Sequence, residues 1–429
     1  MTNMLLTVAV PNEPPPFIML PFALLLLCIA VAPLIVRYHW ERYYHLLCVT
    51  LAAIPSGYYL LVLGSGARLL HVGFEYFSFI VVIGSFFVVT GGIHIVVPGR
   101  ARPLKNSLFL ALGGILGNVI GTTGASMLLI RPWIRMNQYR FTGLHLAFFI
   151  FLVSNIGSAL LPTGPPLFLG YLKGVPFWWG LQRCWLPWSV TFAAVLLIFY
   201  FVDRHNFRRC PVAVREETAA SERWRFDGLR NVGLMLAILG ALILVPFGWR
   251  ELIMIIAAVT AFLWTPRRVY LENQFTFAPI KEVGWLFFGI FGTIVPVLDY
   301  MEMHARELGF HSDLQFYWFT GLLSGILDNA PTYLTFLAGA LGLEGFTIGQ
   351  PEQVAAFIHH SDHYLIAISL GATCFGALTY IGNGPNLMVK AIADHAKVHT
   401  PSFFAFILKF ALPALLPVFV LVSFLFFRP

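Results

Sequence analysis

Charged residues are scarce in this chain. Asp, Glu, Lys and Arg make up 11% of its 429 residues, against about 25% in a typical soluble domain. Hydrophobic residues reach 58%, and they recur in long runs. We therefore predict an all-α polytopic membrane protein. The net charge of +7 does not indicate a nucleic-acid partner, because the basic residues lie in short loops between apolar runs.

Cysteine is also rare, and enzyme motifs are missing from the sequence. The five cysteines (Cys28, Cys48, Cys184, Cys210 and Cys374) show neither disulfide nor metal spacing. The sequence has no Walker motif, nucleophile elbow or zinc-ligand spacing. These features argue against an ATPase or a hydrolase, and we predict a non-enzymatic protein without a bound cofactor.

Apolar runs of about 20 residues predict the membrane spans. They cover about 17–36, 45–63, 74–97, 185–203, 231–247, 249–264, 283–300 and 402–427. Arg37 and Arg42 follow the first run, so this end is predicted to be cytoplasmic and the N-terminus external. The stretch 204–230 is strongly basic, and Arg215 and Arg223 are among its arginines. It is predicted to be a cytoplasmic linker.

Two apolar segments are predicted to be re-entrant hairpins. The first, about 106–130, has basic residues on both sides, from Arg100 to Lys105 and from Arg131 to Arg140. A hairpin that enters and leaves on one face satisfies the positive-inside rule; the alternative is a single Gly-rich spanning helix. The second hairpin, about 316–343, has acidic or polar flanks and is predicted to enter from outside.

Two further segments are interrupted in the same way, by Leu161–Pro166 within about 143–172 and by Ile381–Asn386 within about 363–389. Gly and Pro break a helix and leave backbone groups without hydrogen-bond partners. At membrane depth such a non-helical backbone is tolerated only inside the protein or along a polar cavity. Two matched breaks in the two halves of a membrane protein are typical of a transporter's binding site.

The order of spans, hairpin, broken span and final span occurs twice, and an unpaired span between the copies predicts an inverted repeat. The predicted parts are an N-terminal segment with the first helix, a first repeat, a linker with a connecting helix, and a second repeat. Their bounds are 1–44, 45–203, 204–248 and 249–429.

Polar side chains gather at the hairpin tips and the breaks. They are Thr122, Thr123, Ser126, Asn155, Ser158 and Thr163 in the first repeat, and Asp328, Asn329, Thr332, Thr379, Asn383 and Asn386 in the second. Their oxygens are suitable ligands for Na⁺, for which Asp328, Asn329 and Asn383 are the candidate set. Hydroxyl and amide groups also donate to a carboxylate, and the simplest alternative is that they cap the interrupted helices.

Asp328 is the only residue between Leu322 and Leu343 whose side chain is ordinarily charged at neutral pH. A carboxylate at the centre of a membrane helix costs about 2.5–3.5 kcal/mol on insertion scales. We predict that Asp328 binds a cation or carries a proton. It also precedes Asn329-Ala330-Pro331, which is a favourable helix start, so capping is the alternative role and both can hold together.

Other polar residues are predicted to have no role in the site. His359–His363 is assigned to an external loop before a span rather than to a metal site. Glu75 and Asp203 are predicted to lie at the membrane interfaces, and Asp299 is placed in an external acidic stretch.

Four motifs together carry a family resemblance: Gly121–Pro132 (GTTGASMLLIRP), Ser154–Ser158 (SNIGS), Leu327–Thr332 (LDNAPT) and Tyr380–Leu387 (YIGNGPNL). They resemble the ion transporter superfamily, which includes NhaD-type sodium/proton antiporters, arsenite permeases, citrate transporters and divalent-anion/sodium symporters. The chain is most similar to the bacterial branch named as sodium:proton antiporters or citrate transporters.

The resemblance implies an inverted repeat with two re-entrant hairpins and two broken helices, often in a homodimer. It also implies ion sites between each hairpin tip and its partner break. By motif, Thr122 and Thr123 match the first tip and Asn329 the second. The pairs Thr163-Gly164 and Asn383-Gly384 match the two breaks.

The sequence thus predicts a secondary active transporter of the bacterial cytoplasmic membrane, with the lipid bilayer and a small ion or carboxylate as partners. The leading hypothesis is Na⁺/H⁺ antiport, in which Asp328 is alternately protonated and ion-bound. The alternative is proton- or sodium-coupled transport of a citrate-type carboxylate. In both, Na⁺ or H⁺ is the coupling ion. A channel or a membrane scaffold is a third class, which would not need matched helix breaks.

Overall fold

A computed structural model describes residues 13–97, 102–210 and 225–427 of the chain. The described residues are almost entirely helical. Arg100, Arg215 and Arg223, used above to assign sides, lie outside the described residues.

The first half of the described chain forms helices of very different lengths. They are α1 (Leu20–Ile35), α2 (Arg37–Leu61), α3 (Gly66–Gly91), α4 (Pro103–Met136), α5 (Gly143–Leu152), α6 (Pro165–Leu172), α7 (Trp179–Arg183) and α8 (Trp185–Arg209). Short 3₁₀ turns at Pro16–Met19 and Ile156–Ser158 accompany them.

The second half of the described chain continues this pattern. Its helices are α9 (Arg230–Leu244), α10 (Trp249–Trp264), α11 (Arg267–Glu272), α12 (Ala278–His304), α13 (Asp313–Ile326), α14 (Asn329–Leu343), α15 (Pro351–Phe375), α16 (Gly384–His395) and α17 (Phe403–Phe426). A π-helical turn at Ile407–Ala411 lies within α17, and a 3₁₀ turn at Gly376–Leu378 follows α15.

Seven helical segments in the described residues are long and apolar enough to cross a membrane. Many of their large apolar side chains are exposed, such as Leu24, Leu112 and Phe424. In a membrane protein such side chains face lipid rather than water. The chain is therefore an all-α polytopic membrane protein, as the composition predicts.

The predicted span 74–97 ends earlier than expected. Helix α3 stops at Gly91, and β1 (His94–Val96) pairs antiparallel with β2 (Arg225–Asp227). The glycine pair Gly91-Gly92 favours the end of the helix, and the β-branched residues after it favour a strand. The predicted linker 204–230 accordingly begins as the end of α8 and finishes as β2.

Helix α4 is a helical hairpin rather than one straight helix. Gly121 has φ 74° and ψ 163°, a left-handed conformation that favours glycine. The two arms then run back side by side: Asn106 Nδ2 donates to Asn137 Oδ1 at 2.9 Å, and the rings of Phe109 and Trp133 stack with centroids 5.5 Å apart. The ends of α4 therefore lie together, and Gly121 forms the tip.

Helices α13 and α14 form the second hairpin, with its tip at Leu327-Asp328. Their arms contact through aromatic rings, among them Phe316 and Phe336 with centroids 6.4 Å apart. The Ser312 hydroxyl caps the first arm by accepting from the backbone N–H of Gln315.

Each hairpin is followed by a broken helix. Residues 153–164 separate α5 from α6, and residues 376–383 separate α15 from α16. The same order of elements thus occurs twice along the chain. The division into repeats stays a prediction, and its bounds at 44 and 203 fall inside α2 and α8.

Three acidic residues, predicted to lie at interfaces or in an external stretch, have buried and paired side chains. The Glu75 carboxylate accepts from Lys173 Nζ at 2.7 and 2.8 Å. Asp203 pairs with Arg140, and Asp299 pairs with Arg68. A buried charge is tolerated when a partner and hydrogen bonds compensate its desolvation, and these partners are distant in the sequence.

The histidine-rich stretch His359–His363 is also placed differently from the prediction. It lies inside α15, which begins at Pro351 and is kinked at Ser361, not in a loop. Asp362 pairs with Arg183 at 2.7 Å. No group of three His, Cys, Asp or Glu side chains able to hold a metal occurs among the described residues.

Candidate functional site

The two broken helices meet through three buried asparagines. Asn155 in the first break donates from Nδ2 to Asn386 Oδ1 in the second at 2.8 Å. Asn383 donates from Nδ2 to Asn155 Oδ1 at 3.2 Å and to the Ser154 carbonyl at 2.8 Å. Asn386 also donates to two carbonyls of its own break, both at 2.9 Å. These bonds satisfy backbone carbonyls that a broken helix leaves free, and they join the two breaks.

The first hairpin tip is pressed against the first break. A Cβ on Gly121 would lie 2.5 Å from the Thr163 carbonyl oxygen, so only glycine fits there. The Thr163 hydroxyl donates to the Asn118 carbonyl at 2.8 Å, and Asn118 Oδ1 accepts from the Leu160 N–H at 2.9 Å. The Asn118 amide also donates to the Gly157 carbonyl. One hairpin residue therefore holds both sides of the break.

The second hairpin is attached to the second break in a similar way. The Thr379 hydroxyl donates to the Gly325 carbonyl, and the Ser324 hydroxyl donates to the Ala372 carbonyl, each at 2.7 Å. A Cβ on Gly382 would lie 2.8 Å from the Ser324 carbonyl oxygen. Each tip is thus fixed to its own break by hydroxyl–carbonyl bonds and close backbone approach.

Two side-chain oxygens at the tips are buried without a hydrogen-bond partner among the described residues. They are Thr122 Oγ1 and Asn329 Oδ1. Each belongs to the first residue after its tip, and each residue is at most 3% exposed. An unpaired buried polar atom costs free energy and calls for a reason, such as a ligand. Each hairpin therefore has one unpartnered oxygen directly after its tip, a hydroxyl in the first and an amide oxygen in the second.

Asp328 caps the second arm of its hairpin. Its Oδ1 accepts from the Ala330 N–H at 3.0 Å, and its backbone carbonyl accepts from the Thr332 hydroxyl at 2.9 Å. The capping role considered for Asp328 is confirmed. The other carboxylate oxygen remains available for a further role, because the side chain is only half-buried.

Four helices begin in this polar region: the second arm of α4 at Thr122, α6 at Pro165, α14 at Asn329 and α16 at Gly384. A helix N-terminus carries partial positive charge and favours an anion nearby; at α14 this anion is the Asp328 carboxylate itself. Pro165 and Pro166 at the start of α6 have no backbone N–H groups. This helix would therefore attract an anion through its dipole and not through hydrogen bonds from its first two residues.

A small cavity of about 10 Å³, room for about one water molecule, opens beside the first tip. Its walls include the tip itself and two apolar side chains of α3. The lining residues are Ile83, Phe86, Ile120, Gly121, Thr122, Thr123, Gly124, Thr163 and Pro165. Thr123 faces this pocket, and Gly164 caps the α6 start that forms part of its wall. The unpartnered Thr122 hydroxyl belongs to the same wall.

Of the eleven candidate residues, only Asp328 has a charged side chain. The ten neutral ones are Thr122, Thr123, Asn155, Thr163, Gly164, Asn329, Thr332, Asn383, Gly384 and Asn386. Lys173 and Arg250 are the basic residues that the structure buries most deeply, and each is paired with a glutamate. Lys173 lies at the far end of α6 from the break.

The sequence-predicted residues separate into groups in the structure. Asn155, Asn383 and Asn386 form one bonded cluster, and a Cβ on Gly376 would lie 2.9 Å from Asn155 Oδ1 and 3.6 Å from Asn329 Nδ2. Asn329 therefore lies next to this cluster. Thr122, Thr123 and Thr163 form a second group at the first tip. The set of Asp328, Asn329 and Asn383 as Na⁺ ligands stays a prediction.

Asn118 is the main residue that the sequence reasoning did not select for the site. An asparagine in an apolar, Gly-rich helix is a signal in itself, because its amide requires partners there. Only the fold shows that these partners are Gly157 and Leu160, about 40 residues further along the chain.

The chain matches a family of known proteins. A family model described as "Putative citrate transport" matches residues 12–427. Among curated proteins, none matches the chain.

Proposed function

The chain belongs to this citrate-transport family, and from that premise we propose that it is a secondary transporter of a citrate-type carboxylate coupled to protons or Na⁺. The proposal concerns a multi-pass membrane protein that binds its substrate where the two breaks meet. A homodimer and a bacterial cytoplasmic membrane stay predictions.

The observation that carries the proposal is that two helices begin beside each break, at Thr122 and Pro165 for the first and at Asn329 and Gly384 for the second, with no Lys or Arg among the candidate residues. A carboxylate needs positive potential, and helix dipoles supply it without a buried Lys or Arg. Hydroxyl and amide groups around the breaks add donors that orient the anion. Partial charges hold an anion less tightly than a full ion pair, which suits a substrate that must be released.

The unpartnered oxygens provide the coupling. Asn329 Oδ1 is an acceptor only, and it favours a cation or a proton donor, whereas the Thr122 hydroxyl can accept from a proton donor, bind a cation or donate to a carboxylate. A coupling Na⁺ at either oxygen would neutralise part of the charge of the bound anion. Binding of one would therefore favour binding of the other, which is the thermodynamic basis of symport.

Asp328 is the residue that we assign to proton coupling. It is the only ionisable side chain among the eleven candidate residues. Its backbone position is fixed by its capping bond to Ala330. Protonation would remove the one negative charge that opposes a substrate anion, so proton uptake and anion binding would favour each other.

Na⁺/H⁺ antiport is the second candidate function, and the same residue favours it. Asp328 lies among oxygen ligands, and no Lys or Arg is among the candidate residues. Competition of Na⁺ and H⁺ for one carboxylate would then make the exchange obligatory. This hypothesis requires no anion at the helix N-termini, and the family description favours the carboxylate.

Flux measurements in proteoliposomes test the proposal. Purified protein is reconstituted, and labelled citrate uptake is followed under an imposed pH gradient, an imposed Na⁺ gradient, or neither. We expect uptake above that of protein-free liposomes only when one of the gradients is present. Dissipation of a pH gradient by Na⁺ alone, with no citrate uptake under any gradient, would reject carboxylate transport and support antiport.

A further inference from the structure

The end of α6 that points away from the candidate site carries a buried ion pair. Lys173 follows α6 directly, and its Nζ donates to both carboxylate oxygens of Glu75 on α3. The two side chains are 7% and 8% exposed. Eight residues of helix span about 12 Å, so the backbone of Lys173 lies about that far from that of Gly164.

The same end of α6 has a second attachment. The hydroxyl of Tyr171 donates to the Leu242 carbonyl at 3.1 Å and accepts from Arg250 at 3.2 Å. Arg250 in turn pairs with Glu251, and both are buried. Charged and polar groups of α3, α9 and α10 therefore hold the end of α6, while its start contributes to the candidate site.

The matching half-helix of the second repeat ends differently. In α16 the pair Lys390–Asp394 joins two residues of one helix at 2.6 Å, and the side chains are 27% and 46% exposed. An exposed pair within one helix contributes little to stability and does not tie that helix to another. The two ends thus differ in hydration and in what their charges bind.

A buried ion pair is an expensive way to join two helices. Apolar residues of similar volume would hold α6 to α3 at least as well, so the pair is weak evidence for stability alone. Its distinctive property is that water can replace each partner. His71 Nε2 lies 3.2 Å from the Glu75 carboxylate, and the His71 side chain is 63% exposed. Only the His71 side chain therefore separates this side of the pair from the surroundings of the protein.

We propose that the Lys173–Glu75 ion pair is a latch that holds α6 against α3 in this conformation and opens when the half-helix moves. The face of the molecule at the end of α6 is then the closed one. The role in the transport cycle rests on the proposed function. The latch itself is a property of the fold, and it can be measured without transport.

Hydrogen–deuterium exchange of the purified full-length protein tests the latch. We expect Lys173→Met and Glu75→Gln each to speed exchange of the backbone amides in 165–174 by about tenfold or more, because each leaves an uncompensated buried partner. Amides in 384–395 should keep the rates of the unmodified protein. The matched control Lys390→Met should leave exchange in 165–174 unchanged.

The charge swap Glu75→Lys/Lys173→Glu separates a latch from a general packing defect. We expect it to return exchange in 165–174 to within about threefold of the unmodified protein, since opposite charges are restored. Unchanged exchange in the single variants would overturn the proposal. A swap variant that exchanges as fast as the single variants, or that fails to fold, would overturn it as well. If no citrate is transported but these exchange results hold, the proposed function fails and the latch stands.

Discussion

The two hairpin tips solve the same structural problem by different means. In the first, Gly121 adopts φ 74° and its Cα packs against the Thr163 carbonyl. In the second, the corresponding residue is Asp328, whose carboxylate caps the following helix. The first tip therefore depends on the absence of a side chain, and the second depends on the presence of a charged one.

This difference separates two requirements that lie together in the candidate site. Close approach of a hairpin to its break is a steric condition, and Gly121 meets it. An exchangeable charge is a chemical condition, and only the second tip supplies it. If the proposed function is right, the first repeat mainly shapes the site and the second carries the coupling proton.

Gly121→Ala should have the largest effect. The added methyl group would lie 2.5 Å from the Thr163 carbonyl oxygen, which is closer than a van der Waals contact allows. Alanine also rarely adopts the positive φ of this position. We expect a loss of about 3 kcal/mol or more, seen as a collapse of the folded yield in size-exclusion chromatography. Gly284→Ala is the matched control, since a Cβ there has open space. A folded yield equal to that of the control would refute the steric account of the first tip.

Asn155→Ala tests the joint between the two breaks. It removes the donor to Asn386 and to the Ile150 carbonyl, and the acceptor of Asn383. We expect a loss of about 2–4 kcal/mol in unfolding free energy, because several buried groups lose partners together. Asn206→Ala, at an exposed position of α8, should change stability by less than about 0.5 kcal/mol. Equal stability of the two variants would show that the breaks do not depend on each other.

Asp328→Asn separates the charge of the second tip from its capping role. Asparagine is as good a cap as aspartate, so the midpoint of thermal unfolding should stay close to that of the unmodified protein. Uptake driven by a pH gradient should fall by about tenfold or more, as expected when a general proton carrier is removed.

Asp328→Ala is the companion variant, and it should in addition lose about 1 kcal/mol of stability with the cap. If Asp328→Asn transports normally with an unchanged pH dependence, the carboxylate has no coupling role, and both proposed mechanisms for this residue fail.

Thr122→Val should have the smallest effect on stability. Thr122 Oγ1 has no partner in the described residues, so its loss should change the unfolding free energy by less than about 0.5 kcal/mol. Thr163→Val, next to it, breaks a bond to the Asn118 carbonyl and should cost about 1 kcal/mol. In uptake assays Thr122→Val should raise the KM for the coupling ion. A stability loss equal to that of Thr163→Val would mean that the Thr122 hydroxyl is bonded after all.

Much of the fold could be predicted from particular residues. Gly121 lies in a Gly-rich run with basic residues on both sides, and this pattern favours a hairpin over a spanning helix. Pro165-Pro166 and Gly384-Pro385 are typical helix starts that follow a break. Asp328 before Asn329-Ala330-Pro331 is a capping sequence, and the bond to the Ala330 N–H confirms it. In each case the signal lies within a few residues of the feature.

Long-range pairings were beyond the reach of such signals. Glu75 is predicted to lie at an interface because it comes at the start of a span, and its partner Lys173 is 98 residues away. The partners of Asp203 and Asp299 are Arg140 and Arg68, which also lie far away in the sequence. The His359–His363 stretch was assigned to a loop because it is polar. Polar residues also occur in helices whose partners, such as Arg183 for Asp362, come from another part of the chain.

By itself the sequence determined that this chain lies in a membrane, where its helices break, and that Asp328 follows directly on a hairpin arm as a helix cap. These properties follow from composition and from the local chemistry of Gly, Pro and Asp. Tertiary structure alone decided that the two breaks meet through Asn155, Asn383 and Asn386, and that Lys173 meets Glu75. The reason is physical: a buried amide or charge is stable only beside its partners, and packing of distant helices selects them.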